Sequence, residues 1–373
     1  MKNYTSILKI FLFSLLTFSF CRGEELIVHE WGTFTTLYSS KGVQMEDIYL
    51  EEEKLPTFVF SHPFPININS GFKRHKGSFI EPLHCNVKME TPVLYFYSKK
   101  VKEVEVKVEF PRGAIGQWFP EKNSGKKLVL DSEGAIDFST PYKDWITWKI
   151  KILDSIGNHS ILKTDSPTWN IPRQTDSNLI LANSQVEKYI FYRGLANFTI
   201  PLQIKLKEND LLEIKNKDST DISFLMVYEL NQGKAKVWWT GELKNQETKE
   251  MNFNESIDTQ KGFIKFKQAL IKNGLYEKEA DAMLGTWEKS YFKTDGLRVF
   301  WIVPREFVDR ELPLTITPEP TKINRVFVGR VDILRPEFEK KIMTMDNNAY
   351  YTEYNSHRYL QVFNKMREMI FHN

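Results

Sequence analysis

The stretch LIVHEWGTFTTLY, Leu26 to Tyr38, decides how the rest of the chain is read. Ile27, Val28, Trp31, Thr33, Phe34, Thr35 and Thr36 are β-branched or aromatic, which predicts a strand, with Gly32 its one weak position. Side chains alternate faces along a strand. His29 and Trp31 therefore share one face, and Glu30 shares the other with Val28. The adjacent His-Glu pair cannot enter one pocket unless a bulge near Gly32 re-aims it. The plainer reading makes His29 a hydrogen-bonded histidine near the core and Glu30 a solvated edge residue.

Upstream, Lys2 and Lys9 precede an apolar run from Ile10 to Phe20, with a small-residue cleavage site ending at Gly23. This is the pattern of a secretory signal over 1–23. Lipidation at Cys21 is the weaker alternative, because Phe20 is a poor residue to precede an acylated cysteine. No later segment approaches the about 18 consecutive apolar residues of a membrane helix. The protein is expected to be exported, periplasmic or secreted. Removing 1–23 takes Lys2, Lys9 and Arg22 from the 51 basic residues and nothing from the 48 acidic ones, so the mature charge balances. A general nucleic-acid partner, which needs a basic face, is excluded. One cysteine, Cys85, remains, so stability must come from a core rather than an internal disulfide.

Downstream the chain reads as many short strands. Met89 to Pro111 predicts a hairpin, TPVLYFYS against VKEVEVKVEF across Lys99-Lys100, with Glu90 a solvated residue at the strand's mouth. A short strand is expected within Lys41 to Glu53. Others follow at Ile115 to Phe119, Lys127 to Leu130, Trp145 to Leu153, Lys188 to Tyr192, Phe198 to Lys207, Leu211 to Lys215, Ile222 to Leu230 and Lys234 to Thr240. Leu55 to Pro82 and Lys163 to Asn178 read as long irregular connections. The spacing of His62, His75 and His84 matches no standard metal pattern.

Near Asn254 the period changes to helical: Phe263, Phe266 and Leu270, then Ala280, Met283, Leu284, Trp287 and Tyr291 over Glu277 to Tyr291, joined at Lys272-Asn273-Gly274. Two apolar strands, Leu297 to Val303 and Arg325 to Leu334, and an amphipathic helix over Asp346 to Ile370 complete the chain. The expected fold class is α+β: an antiparallel β-sandwich-like body over 24–253, then a helix-rich part over 254–373 with two further strands.

Six blocks give the chain a resemblance to exported bacterial proteins that carry a HEWGTFT opening after the signal. They are HEWGTFT at His29 to Thr35, METPVLYFY at Met89 to Tyr97, FYRG at Phe191 to Gly194, LYEKEADAMLGTW ending at Trp287, LRVFWIVPR ending at Arg305 and RVFVGRVDIL ending at Leu334. The resemblance implies a common architecture and, the group having no assigned activity, lends no mechanism. It directs attention to the polar residues inside the blocks: His29, Glu30, Glu90, Arg193, Arg298, Arg305 and Arg330.

Two functions compete. In the first, an envelope or surface protein with a structural or ligand-binding role presents loops and aromatic residues to a polysaccharide, peptide or envelope protein, with Trp31, Tyr192 and Arg173 as ligand-binding candidates. Trp118, Trp169, Trp238 and Trp239 are further aromatic candidates. Of the adjacent Trp238-Trp239 pair, one is expected in the core and the other under the C-terminal helices. The second is a hydrolase or lyase with His29 as general base, Glu90 or Glu30 as its carboxylate partner and Arg193 as anion clamp, with or without a metal. No G-x-S-x-G elbow, H-E-x-x-H or phosphate-binding glycine loop accompanies these residues, and no motif names a cofactor. Convergence discriminates: an enzyme needs these residues around one pocket, a structural role scatters them in buried pairs such as Arg193 with Glu90.

Overall fold

The computed structural model describes residues 25–50, 54–62, 81–132, 134–154, 159–207 and 210–371. The expected signal over 1–23, with Cys21, and His75 lie outside them. Among the described residues, nine strands form the larger sheet. Its order is β16 (Lys234–Leu243), β15 (Ile222–Asn231), β18 (Gly296–Ile302), β20 (Lys322–Ile333), β1 (Leu26–Tyr38), β4 (Val87–Ser98), β12 (Ile190–Ala196), β6 (Gly113–Phe119) and β2 (Phe60–Ser61). The second sheet runs β11 (Gln185–Glu187), β10 (Ile180–Ala182), β9 (Asp144–Ile152), β5 (Lys102–Phe110) and β19 (Leu314–Thr317), with β7 (Ser124–Gly125) beside β9. Two small sheets complete the β structure: β13 (Leu202–Lys207), β14 (Leu211–Asn216) and β17 (Thr248–Asn252), and the parallel pair β3 (Glu81–Leu83) and β8 (Ala135–Asp137). The helices are α1 (Pro167–Asn170), α2 (Thr259–Lys272), α3 (Glu277–Thr286), α4 (Arg305–Glu311), α5 (Pro336–Thr344), α6 (Asn347–Tyr354) and α7 (Leu360–Phe371). The protein is thus mostly β with a helical C-terminal part, an α+β chain. Among the described residues no helix is long and apolar enough to cross a membrane.

β1 is the middle of the larger sheet, paired parallel with β20 and antiparallel with β4. The parallel pair departs from the all-antiparallel body expected from the sequence. Strands covered on both faces read as near-continuous apolar runs, which is how RVFVGRVDIL and LIVHEWGTFTTLY are written. The expected alternation holds: Val28 and Phe34 enter an apolar cluster shared with Val106 of β5 and Trp148 of β9, whereas Trp31 enters a second cluster shared with Phe266 and Met283 of α2 and α3. Because β18 and β20 lie between β15 and β1, the change of pattern at 253/254 falls within a chain whose larger sheet draws strands from both sides of it.

Several expectations are corrected. Met89 to Pro111 is not a hairpin: β4 pairs with β1 and β12, and β5 with β9 and β19. The composition explains this, since β4 is apolar on both faces and both its edges are taken, while β5 alternates Val104, Val106 and Val108 with wetter Glu103, Glu105 and Lys107. The strand expected within Lys41 to Glu53 reduces to one bridge between Tyr38 and Gln44, and Lys127 to Leu130 is irregular. The helix expected over Glu277 to Tyr291 stops at Thr286 and continues as a π-helix, Glu288–Phe292. The wider turn lets the consecutive rings of Tyr291 and Phe292 both reach Phe300, at 5.6 and 5.2 Å. The tail expected as one helix breaks between α6 and α7, and Arg358 and Tyr359 turn inward at the break.

Two register shifts explain polar and aromatic residues that alternation alone misplaces. Thr33 lies opposite Thr91 and Phe34 opposite Met89, so Glu90 is the extra residue of a bulge on β4. Gly32 is next to it because a Cβ there would lie 2.5 Å from the Phe327 ring and 2.8 Å from the Thr91 carbonyl oxygen. On β16 the pairing passes from Trp239 to Val237, so Trp238 bulges. Trp238 and Trp239 then contact the same cluster, and Val237 rather than a tryptophan meets Gly262 of α2.

Candidate functional site

The polar residues of the opening strand are buried, and each has its own partners. His29 sits on the helix side. Its Nδ1 lies 2.8 Å from Glu279 Oε2 and its Nε2 2.8 Å from Asn324 Nδ2. Asn324 Nδ2 also donates to the Gly274 carbonyl at 2.9 Å, which fixes the amide orientation and makes Nε2 the acceptor. The imidazole proton therefore stands on Nδ1, facing a carboxylate. Glu279 also accepts from Tyr97 Oη at 2.6 Å and from the Tyr276 amide at 2.7 Å, the latter an N-terminal cap for α3. His29 and Glu279 are sealed, with side chains 1% and 0% exposed.

Glu30, on the opposite face, accepts from Tyr192 Oη and Arg325 Nε. Arg325 further reaches Asp309 Oδ1 at 2.7 Å and the Leu312 carbonyl at 2.7 Å, fastening α4 to the sheet. β1 and β20 are in register here, His29 beside Asn324 and Glu30 beside Arg325, so consecutive residues of one strand meet consecutive residues of the next on opposite faces. The expectation of a solvated Glu30 fails because β1 is central.

Glu90 is buried too, against the expectation of a solvated end residue. Re-aimed by its bulge, it accepts from Thr35 Oγ1 at 2.8 Å and Arg358 Nη2 at 2.5 Å, with Lys88 Nζ at 3.4 Å. Beside it on β20, Arg330 grips Asp332 through Nε at 3.0 Å and Nη2 at 2.8 Å, donates to the Ser290 carbonyl at 3.0 Å and faces the Tyr291 ring at 4.7 Å. Arg298 Nε stands 3.0 Å from Asp332 Oδ1, and Tyr359 Oη donates to Asp332. Burial alone would raise the carboxyls of Glu90 and Asp332. Lys88, Arg358 and Arg330 outweigh it at Glu90, and Arg330, Arg298 and Arg358 at Asp332, so both are held well below the usual carboxylate range.

A depressed folded-state pKa contributes stability above the unfolded value and loses it as pH falls toward the folded one. Urea denaturation between pH 5 and pH 2 is therefore expected to show stability falling below about pH 4, by up to about 1.4 kcal/mol per pH unit for each of the two carboxylates. Glu90→Gln should remove one share of that slope; an unchanged slope would show that Glu90 is not held ionised.

The remaining candidates are dispersed. Arg193 bonds Gln117 through Nε, while the bonds recorded at Glu90 go to Thr35, Arg358 and Lys88, so the Arg193–Glu90 pair expected for a structural role is absent among the described residues. Trp31 is fully buried 6.3 Å from the Tyr95 ring, Tyr192 is consumed by Glu30, and Arg173 is tied to Glu187 and Asn170. Trp118, Trp169 and Trp238 are core residues rather than exposed ones, and Trp239 is half-buried. His62 packs on the Trp118 ring at 4.9 Å; burial, with Lys122 adding, lowers it to about 4. His84 bonds Glu46 at 2.8 Å, and burial pushes the thiol of Cys85 up. Among the described residues no group of three His, Cys, Asp or Glu side chains is arranged to hold a metal.

The sequence pattern points to Arg298 and Arg330 but not to Glu279, Asn324, Arg325, Asp332 and Arg358. Arg325 and Asp332 were visible as charges inside an apolar strand, a signal of buried pairing. Glu279 and Arg358 had no such flag. What converges is the Glu90–Asp332 cluster, and beside it opens a cleft of about 600 Å³ lined by Arg298, Arg330 and Asp332 together with Leu334, Phe338 and Tyr354.

Neither a protein-family model nor any curated protein matches the chain. Among solved structures it is similar to the yeast delta-COP-I mu-homology domain, at 7% identity and a TM-score of 0.31, covering 83% of this chain and 98% of that one. The same domain complexed with a Dsl1 WxWxV peptide gives 8% identity and a TM-score of 0.26, over 83% and 96%. Likenesses this low carry no argument.

Proposed function

We propose that this chain is an exported envelope or surface protein with a structural or ligand-binding role, and that the polar residues of His29 to Thr35 are folding determinants. The supporting observation is dispersal: His29 with Glu279 and Asn324, Glu30 with Arg325 and Tyr192, Glu90 with Thr35 and Arg358, and Arg193 with Gln117 are four separate constellations. Catalysis needs such groups around one reacting atom. On this reading the two large sheets sandwich the first apolar cluster, 1–23 direct export with cleavage preferred to lipidation at Cys21, and the loops meet a polysaccharide, a peptide or an envelope protein. The HEWGTFT resemblance fits such an architecture.

The alternative, a hydrolase or lyase, draws on one feature. Asn324, which caps His29 Nε2, lines a second hollow of about 340 Å³, so a shift of that amide would expose a histidine already paired with a carboxylate. His29→Gln separates the two. The binding reading expects a lowered urea midpoint and no turnover of cell-wall polysaccharide or peptide by either protein. Turnover by the wild type that falls 100-fold or more in His29→Gln at unchanged stability would overturn it.

A further inference from the structure

The floor of the 600 Å³ cleft has an unusual charge arrangement. Arg298 and Arg330, with side chains 3% and 1% exposed, share Asp332 as the one carboxylate within ion-pair distance of both among the described residues. Two guanidinium groups on one carboxylate leave positive charge where water is scarce, and such charge is costly unless something answers it. Burial, reinforced by Arg330 and opposed by Asp332, pulls Arg298 down to about 10. Among the described residues Arg298 Nε finds no hydrogen-bond acceptor in good geometry, although Asp332 Oδ1 is 3.0 Å away.

The mouth of the cleft differs from its floor. Arg335 is matched by Glu229 at 2.8 Å and Asp210 at 3.0 Å, Lys341 by Glu353 at 2.7 Å, and the Asp295 carboxylate accepts from the Gln232 amide at 3.2 Å. Leu230, Leu334, Phe338 and Tyr354 give the lining an apolar part beside polar Thr294 and His357, and the volume is that of a small-molecule site.

Resting on the binding reading above and deepening it, we infer that this cleft takes an amphipathic organic anion, with a carboxylate or phosphate head at Arg298 and Arg330 and an apolar body along Leu334, Phe338 and Tyr354. The Arg298 fork is already spent on Thr294, Asp295 and Gly296, so the head is drawn by the surplus positive charge of the two guanidinium groups rather than by a free bidentate grip. The body displaces water from the apolar part of the lining.

Calorimetric titration of the full mature protein with decanoate, decyl phosphate, decanol and inorganic phosphate tests the inference. One-to-one binding of decanoate or decyl phosphate tighter than about 1 mM is expected, with decanol and inorganic phosphate at least tenfold weaker. The ratio of the two anions identifies the head group. Arg298→Gln should weaken the preferred anion at least tenfold. Because Arg298 also donates to the Thr294 and Asp295 carbonyls, at 2.7 and 2.9 Å, a second variant is needed that leaves the floor intact. Phe338→Trp, at a half-buried wall position, should block the same ligand at unchanged thermal stability. Equal binding of decanol and decanoate, indifference to both variants, or no binding of either anion would overturn the inference. None of these results would bear on the His29→Gln comparison, so failure here and failure of the broader reading remain distinguishable.

Discussion

Arg325→Met is expected to cost about 3–5 kcal/mol of folding free energy, the penalty for leaving a buried carboxylate without its counter-charge. Glu30 and Arg325 have side chains 0% and 1% exposed and face each other across the parallel β1–β20 pair. Without the guanidinium, Glu30 retains Tyr192 Oη alone among the described residues, and α4 loses the bonds from Arg325 to Asp309 and the Leu312 carbonyl. The ion pair is not required for stability as such. Glu30→Gln combined with Arg325→Met leaves a neutral amide that still accepts from Tyr192, and should recover to within about 2 kcal/mol of the wild type. Urea denaturation of both single variants and the double variant closes the cycle. Additive losses would mean that the pair does not act as a unit and that β1 and β20 are held by their ladder and apolar contacts alone.

The same pair shows where sequence reading succeeds and where it stops. Alternation places His29 and Glu30 on opposite faces of one strand, and that is how they lie, with Trp31 in the cluster shared with α2 and α3 and Val28 in the cluster shared with β5 and β9. The helix pair α2 and α3 and their stop at Gly274, with its φ of +117°, were equally readable from period and punctuation. Exposure was not. Whether Glu30 and Glu90 meet water depends on which strands flank them, and a parallel neighbour almost 300 residues away in sequence leaves no local trace. Bulges were equally hidden. The extra residue at Glu90 redirects a carboxylate, and the one at Trp238 puts two adjacent tryptophans against one cluster, because a register shift changes facing without changing composition. Arg358 is hidden for a different reason: its segment keeps the apolar period of one long helix, yet the chain breaks at Asn355 and turns the guanidinium toward Glu90.

Glu279→Ala is the second large effect, and it tests whether His29 is a folding residue. The Glu279 carboxylate answers three donors at once, His29 Nδ1, Tyr97 Oη and the Tyr276 amide, with no exposure to water. Losing the cap costs about 1 kcal/mol and each buried donor left without an acceptor about 1–3 kcal/mol, so a total loss of at least about 3 kcal/mol is expected. Glu279→Gln keeps one acceptor oxygen and should cost about half as much. Position in the fold predicts where the loss is felt. His29 and Tyr97 belong to the central strands and Glu279 to α3, so the carboxylate docks the helix pair onto the sheet, and amide exchange in α2 and α3 should accelerate more than in β1 or β20. In the Glu279→Ala background a further His29→Ala change should cost less than it does alone, because the bond it would break is already gone. If instead Glu279→Ala unfolds at the wild-type urea concentration, the pair contributes nothing to folding, and a buried histidine–carboxylate dyad beside Asn324 would have to be explained by chemistry.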